Sequence, residues 1–183
     1  RMNRGRVQLD AAIAYTLREE QARAVRDTKT YYQSHPGGEY LWNAKPRFGK
    51  TLSVYDFCKQ VDAQTVLIVT NRPAIANSWC SDYVRFLGME SGYLFVSHVD
   101  ALAGQPHVLD EQGYLDAAAQ GEKLYKRIEF VSLQDMKGSK YFGGEYDKLR
   151  HLTELNWDVL VIDEAHEGVD TYKTDLAFDR IRR

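Results

Sequence analysis

The segment Thr65–Thr70 restricts the fold of this chain more than any other. Its residues, Thr-Val-Leu-Ile-Val-Thr, carry no charge and are mostly β-branched, a composition typical of a strand that is buried on both faces. Val159–Ile162 is a second apolar run of this kind. Strands buried on both faces occur in parallel sheets that helices cover on each side. We therefore expect an α/β protein with a mostly parallel central sheet flanked by helices.

Hydrophobic periodicity and turn residues predict the other elements. The predicted helices span about Leu17–Tyr32, Lys50–Val61, Pro73–Leu87 and Asp170–Ile181. The further predicted strands are Tyr40–Trp42, Gly92–Ser97 and Arg127–Leu133. Residues 101–126 have weak periodicity and are interpreted as an insertion. Trp79 and Tyr83 lie on the apolar face of the third helix, which favours core packing over stacking on a nucleic-acid base.

Composition indicates a globular chain that folds as one domain over residues 1–183. Hydrophobic residues make up 44% and charged residues 27%, and the net charge is −2, so any nucleic-acid site must be a local patch. The two cysteines, Cys58 and Cys80, lie in apolar patterns, which favours buried free thiols in a reducing compartment. No apolar run approaches the ~20 residues that span a bilayer. These features predict a cytoplasmic protein without a membrane partner.

A phosphate-binding loop is predicted between the Tyr40–Trp42 strand and the following helix. The segment reads Ala44-Lys45-Pro46-Arg47-Phe48-Gly49-Lys50-Thr51. In such a loop, backbone N–H groups at a helix N-terminus bind phosphate oxygens. Gly49 would allow close backbone approach, Lys50 would contact the β- and γ-phosphates of a nucleotide, and Thr51 would offer its hydroxyl to Mg²⁺. The loop is poor in glycine, and Pro46 removes one N–H donor.

Two acids follow the apolar strand Val159–Ile162. Asp163 and Glu164 would lie at the carboxyl end of that strand, where ligands bind in open α/β sheets. Asp163 can hold magnesium, and Glu164 can orient or deprotonate an attacking water. An acidic helix N-terminus that complements the helix dipole is the structural alternative. The phosphate loop favours the catalytic interpretation, because a nucleoside triphosphatase needs both parts.

With these motifs in this order, the chain resembles the superfamily 2 helicases and translocases. Leu17-Arg18-Glu19-Glu20-Gln21 resembles the Gln motif, Val69-Thr70-Asn71-Arg72-Pro73 the next strand-end motif, and Asp163-Glu164-Ala165-His166 a DEAH box. Phe130–Asp135 fits a further strand-end motif, with less specificity. The Leu-Arg-x-x-Gln start and the Asp-Glu-Ala-His-Glu-Gly segment are most similar to motor subunits of type I and type III restriction enzymes and related bacterial DEAD/DEAH-box proteins. The resemblance covers nearly the whole chain.

The resemblance implies a RecA-like P-loop NTPase domain that binds ATP and Mg²⁺ and couples hydrolysis to movement on DNA. It assigns adenine recognition to Gln21, although a polar residue on a helix face is the structural alternative. It assigns nucleic-acid contacts to Thr70, Asn71 and Arg72. It gives His166 a role in linking the ATP site to neighbouring motifs. A hydrogen-bonded histidine at a helix start is the structural alternative.

The chain lacks two parts of the family pattern. The Ser-Ala-Thr or Ser-Gly-Thr motif is absent, and so is the second RecA-like domain, which supplies an arginine finger. We therefore expect a fragment of a larger protein. An RNA helicase, or a nucleotide-gated module that binds nucleic acid or protein without translocating, remains an alternative to a DNA motor. The spacing of His35, His98, His107 and His151 indicates no metal site and favours surface positions.

Overall fold

The computed structural model describes residues 12–71, 73–121, 124–163 and 181. The α-helices are α1 Glu19–Ser34, α2 Lys50–Gln60, α3 Ala76–Asp82, α4 Glu111–Gln120, α5 Leu133–Gly138 and α6 His151–Glu154. The strands are β1 Thr65–Thr70, β2 Tyr93–Ser97, β3 Val108–Leu109, β4 Lys126–Ser132 and β5 Val159–Asp163. Short 3-10 turns lie at Pro73–Ile75, Met89–Ser91, Asp100–Leu102 and Lys140–Phe142, and a π-helical turn lies at Tyr83–Leu87. None of the helices in these ranges combines the length and apolar character that a bilayer crossing requires.

The five strands form one parallel sheet in the order β3-β2-β4-β1-β5. This confirms the predicted α/β class. β1 pairs with β4 on one side and β5 on the other. Its residues Val66 to Val69 are at most 1% exposed, as the uncharged sequence predicts for a strand with neighbours on both edges and helices on both faces.

Alternating side chains of β1 pack into two separate hydrophobic cores, one on each face of the sheet. Val66 and Ile68 pack into a cluster with residues of α1, α2 and α3. Leu67 and Val69 point to the opposite face and pack with residues of α5 and α6. The aromatic members of the first cluster include Tyr55, Trp79, Tyr83, Tyr93, Phe95 and Phe130, and those of the second are Phe142 and Trp157. The sheet is therefore covered by helices on both faces, which holds its strand ends in fixed positions.

Two element predictions are wrong. Tyr40–Trp42 is not a strand: Leu41 is 82% exposed, and Trp42 instead donates from Nε1 to Oγ1 of Thr28 in α1 at 2.6 Å. A strand requires a neighbouring backbone, and this segment pairs with none in the described ranges. The supposed insertion at 101–126 contains β3 and α4. β3 has only two residues and α4 buries none, so neither leaves a strong periodic signal in the sequence.

The other predicted elements in the described ranges agree with the structure to within two residues, apart from one helix that is divided, and the short helices α5 and α6 were not predicted. The helix predicted from Pro73 to Leu87 is split into a 3-10 turn, α3 and a π-helical turn, with Trp79, Tyr83 and Leu87 buried as expected. The predicted helix Asp170–Ile181 falls outside the described residues apart from Ile181, which is buried in the second cluster.

Candidate nucleotide site

An ion pair between Lys50 and Asp163 lies at the centre of the candidate site. Lys50 is the first residue of α2, and Asp163 is the last residue of β5. They are 113 residues apart in the sequence, and Nζ of Lys50 donates to Oδ1 of Asp163. The Asp163 side chain is only 4% exposed. A buried carboxylate needs a compensating partner, and Lys50 supplies the positive charge.

The second oxygen of Asp163 is bound by Trp79 of α3. Nε1 of Trp79 donates to Oδ2 at 3.1 Å, and both groups are buried. The Trp79 ring packs edge-on against Tyr55, whose hydroxyl donates to the Trp79 carbonyl at 2.6 Å. Burial raises the pKa of Tyr55 well above its ordinary value, so this hydroxyl stays protonated and remains a donor. Asp163 is thus fixed at both oxygens before any ligand binds.

The loop before α2 is tied to the start of α1 by side chains that bind its carbonyl groups. Arg18 donates from Nη2 to the carbonyls of Arg47 and Phe48 at 2.9 and 2.6 Å. Gln21 donates from Nε2 to the Phe48 carbonyl at 2.8 Å, and its Oε1 accepts from the Arg18 N–H at 2.9 Å. A trans peptide points its N–H opposite to its C=O. The Gly49 N–H therefore points away from α1.

Gly49 has two structural reasons to be glycine. Its φ is +77°, in the left-handed region that glycine adopts without strain. A Cβ at this position would lie 2.4 Å from Nε2 of Gln21, closer than any allowed contact. The contact between Gln21 and the loop and the turn into α2 both depend on the missing side chain. Arg47 also has a positive φ, +66°, a conformation that strains a residue with a Cβ.

The other loop residues lie on the outside of this turn. Ala44 and Phe48 are half-buried, and Lys45, Pro46 and Arg47 are exposed. The Phe48 N–H donates to the Lys45 carbonyl at 3.1 Å, which closes the turn. Thr51 is half-buried in the first turn of α2, next to Lys50. The loop is thus closed by its own backbone and by α1, although it holds few glycines.

Three neighbouring strands end side by side next to the ion pair. Thr70 of β1 is in register with Ser132 of β4 and with Asp163 of β5. Thr70 is buried, and Asn71 is half-buried just beyond it. Ser132 caps α5, because its Oγ accepts from the Asp135 N–H at 3.1 Å. The polar residues singled out in the strand-end motifs therefore share one edge of the sheet with Asp163.

Three predicted site residues lie outside the described part of the chain. These are Arg72, Glu164 and His166. Their assigned roles stay predictions.

Two residues that touch this site were missed by the sequence analysis. Arg18 was quoted only as part of a motif, and Trp79 was interpreted as core. The interpretation of Trp79 is correct for its ring, which is 1% exposed. A buried indole N–H nearly always has an acceptor, but the sequence does not show that the acceptor is Asp163, 84 residues away.

Comparison with known proteins assigns the chain to a family. Residues 14–181 match a family described as "Type III restriction enzyme, res subunit". The chain belongs to this family. The match includes the loop, the ion pair and all five strands, and the family is a superfamily 2 helicase-like ATPase module of restriction enzymes.

A Mycoplasma pneumoniae protein is similar to the chain over most of its length. It is provisionally named as the C-terminus of a type II restriction enzyme and methyltransferase, and it is 29% identical over 175 residues. These residues cover 92% of the chain but only 22% of the relative. The chain therefore spans about a fifth of the length of this relative.

Proposed function

We propose that this chain is the ATP-binding, RecA-like domain of a DNA-dependent ATPase of the DEAH-box type, which couples ATP hydrolysis to movement on DNA. The ion pair between Lys50 and Asp163 carries the proposal. It joins the lysine of a loop–helix turn to the acid at the end of a buried parallel strand, in a chain that belongs to a helicase-like family. A P-loop NTPase needs this pairing of a phosphate-binding cation with a metal-binding acid.

The described residues fit a bound triphosphate and its magnesium ion. A side chain at Gly49 would be strained by its φ of +77°, and the Phe48 carbonyl is turned towards α1, so the Gly49 N–H points to the outer side of the loop. Lys50 would contact phosphate oxygens, Asp163 and the Thr51 hydroxyl would hold Mg²⁺, and residues 44–49 would form the cradle. When bound, magnesium neutralises charge on the β- and γ-phosphates.

Gln21 has two candidate roles. Its amide now binds the Phe48 carbonyl and the Arg18 N–H, and pairing with adenine would replace these bonds. If it reads adenine, it discriminates between bases. If it only holds the loop, it contributes equally to the binding of every nucleoside triphosphate.

The remaining residues would serve hydrolysis and the nucleic acid. Glu164 would orient the attacking water, and His166 would couple the ATP site to neighbouring motifs. Thr70, Asn71 and Arg72 would contact the nucleic-acid backbone, since β1 ends beside Asp163. The restriction-enzyme name of the relative supports DNA over RNA as the substrate. Catalysis would require a second RecA-like domain in the whole protein.

Removal of the Lys50 charge tests the nucleotide site. Lys50→Ala should reduce the affinity for Mg-ATP at least tenfold in calorimetry, and Lys50→Arg should also fail because a planar guanidinium does not replace a compact ammonium. Lys59→Ala, which removes an exposed lysine at the other end of α2, is the matched control and should bind normally. Unchanged affinity in Lys50→Ala would refute the assignment.

A second measurement tests whether the nucleic-acid partner is DNA or RNA. The ATPase activity of the full-length protein should rise on addition of duplex DNA and not of RNA. Stimulation by RNA alone would replace the DNA motor with an RNA helicase. ATP binding that controls DNA affinity without turnover would indicate a nucleotide-gated binding module.

A further inference from the structure

Two charged residues are fully buried inside β4, away from the ion pair of the nucleotide site. Arg127 is 2% exposed and Glu129 is 0% exposed. Both lie on the same side of the strand, because their positions differ by two. Replacement of buried ion pairs by apolar residues often leaves stability unchanged or raises it. Their presence in the middle of a sheet therefore calls for an explanation other than stability.

These two residues belong to a polar cluster that also includes residues of α4, of α6 and of the segment just after β2. Arg127 bonds both oxygens of Glu111, the first residue of α4, and donates from Nη2 to Oε2 of Glu129 at 2.9 Å. The other oxygen of Glu129 lies 2.6 Å from Nε2 of His151, the first residue of α6. His98, just after β2, places its ring centroid 5.7 Å from that of His151.

The polar groups of this cluster lie close together. Two carboxylates, Glu111 and Glu129, face the single guanidinium of Arg127, and Glu129 also faces the imidazole of His151. Carboxylates and imidazoles are groups that bind divalent cations.

We propose that His98, Glu111 and His151 form a binding site for a divalent transition-metal ion of the zinc class. Each residue offers one ligand atom, and these atoms all lie within 4.8 Å of one another. Glu111 comes from α4, His151 from α6 and His98 from the position just after β2. Two imidazoles and one carboxylate are a ligand set that zinc uses, with a fourth position left for water.

The three ligand atoms need to move only slightly closer together to bind one zinc ion. Ligands at the usual distance from zinc, about 2.0–2.1 Å, lie about 3.3 Å apart in a tetrahedron. Nε2 of His151 donates to Oε1 of the buried Glu129 at 2.6 Å, which holds the ring in place and leaves Nδ1 as the nitrogen that can bind a metal. His98 is exposed and has room to rotate towards His151 and Glu111. The ion would tie the end of β2 to α4 and α6.

The ligand chemistry separates this site from the magnesium site proposed at Asp163. Imidazole nitrogen suits zinc, copper and nickel, whereas magnesium prefers oxygen ligands. The proposal stands independently of the nucleotide site, since it shares no residue with it. Millimolar Mg²⁺ should therefore not displace zinc from the cluster.

Calorimetry with Zn²⁺ on the metal-free full chain tests the proposal. One equivalent should bind, and Co²⁺ in its place should give the visible absorption of a tetrahedral site. His98→Ala removes an exposed ligand and should weaken Zn²⁺ binding at least tenfold, with the unfolding temperature of the metal-free protein unchanged. His35→Ala, another exposed histidine outside the cluster, and Asp163→Asn are the controls and should bind Zn²⁺ as the unmodified protein does.

A second variant tests the carboxylate. Glu111→Gln should also lose at least tenfold in Zn²⁺ affinity, and Zn²⁺ should raise the unfolding temperature of the unmodified protein but not of His98→Ala. Failure of the unmodified protein to bind Zn²⁺ would overturn the proposal. So would binding that His98→Ala leaves intact, or loss of zinc in millimolar Mg²⁺.

Discussion

The hydrogen bond between Trp79 and Asp163 offers a sharp test of how the site is held. Trp79→Phe keeps an aromatic ring in the core but removes the N–H that donates to Oδ2 at 3.1 Å. Trp157→Phe is a matched control, because Trp157 is equally buried and donates from Nε1 to the Leu152 carbonyl at 3.0 Å. The two substitutions delete the same atoms and differ in whether the acceptor is charged.

The expected magnitude follows from the acceptor. A hydrogen bond to a charged group contributes about 1.5–3 kcal/mol, and one between neutral groups about 0.5–1.5 kcal/mol. Both variants also lose packing of the larger ring, by amounts that depend on how each site relaxes. We expect Trp79→Phe to lower the free energy of unfolding by about 1 kcal/mol more than Trp157→Phe does.

A double-mutant cycle removes the difference in packing between the two sites. Trp79→Phe is measured by urea denaturation in the unmodified chain and in Asp163→Asn, where the acceptor is neutral. A coupling energy of about 1 kcal/mol is expected, clearly above the ~0.3–0.5 kcal/mol error of additivity. Trp79→Phe should also weaken Mg-ATP binding, and Trp157→Phe should not. Additive stability effects would refute the claim that Trp79 stabilises the Asp163 carboxylate.

Three further results are expected. If Gln21 reads adenine, Gln21→Ala should shrink the preference for ATP over GTP by about 1–3 kcal/mol; equal losses for both nucleotides in calorimetry would assign it to the loop alone. In the full-length protein, Glu164→Gln should bind ATP but lose turnover, whereas Asp163→Asn should weaken the magnesium dependence of binding; near-normal ATPase activity in Glu164→Gln would remove its catalytic role. Burial raises the pKa of Cys58 to about 12, so native protein at pH 8 should resist iodoacetamide at this thiol by mass spectrometry and react only in urea; rapid native alkylation of Cys58 would contradict its burial.

Four of the five strands in the described ranges follow from local sequence. Thr65–Thr70 is predicted to the residue, because an uncharged β-branched run has no stable place except between two other strands under helices. The turn at Gly49 into α2 is local as well, since a glycine followed by a helix start is a short-range signal. The prediction of a strand at Tyr40–Trp42 is wrong because the segment has no neighbouring strand to pair with in the described ranges. Pairing depends on a neighbouring backbone, and no property of three residues specifies one.

The partners of the polar side chains were decided by tertiary structure alone. The sequence identifies Lys50 and Asp163 as candidates, but it does not show that Trp79 binds the same carboxylate or that Arg18 and Gln21 hold the loop. The spacing of the histidines likewise indicated surface positions, and this holds for His98 but not for His151, which is paired with a fully buried Glu129.

The sequence predicts elements better than side-chain partners because the two depend on interactions of different range along the chain. Hydrophobic periodicity is set by neighbours within one element, and it can be read along the chain. A buried N–H or carboxylate must find a partner wherever the fold places one. His151 lies 22 residues from Glu129, and Trp79 and Lys50 lie 84 and 113 residues from Asp163. The amino-acid sequence alone thus determined four strands of the sheet and the helices α1 and α2, whereas the order of the strands and the side-chain contacts that complete both sites arise only when the strands meet.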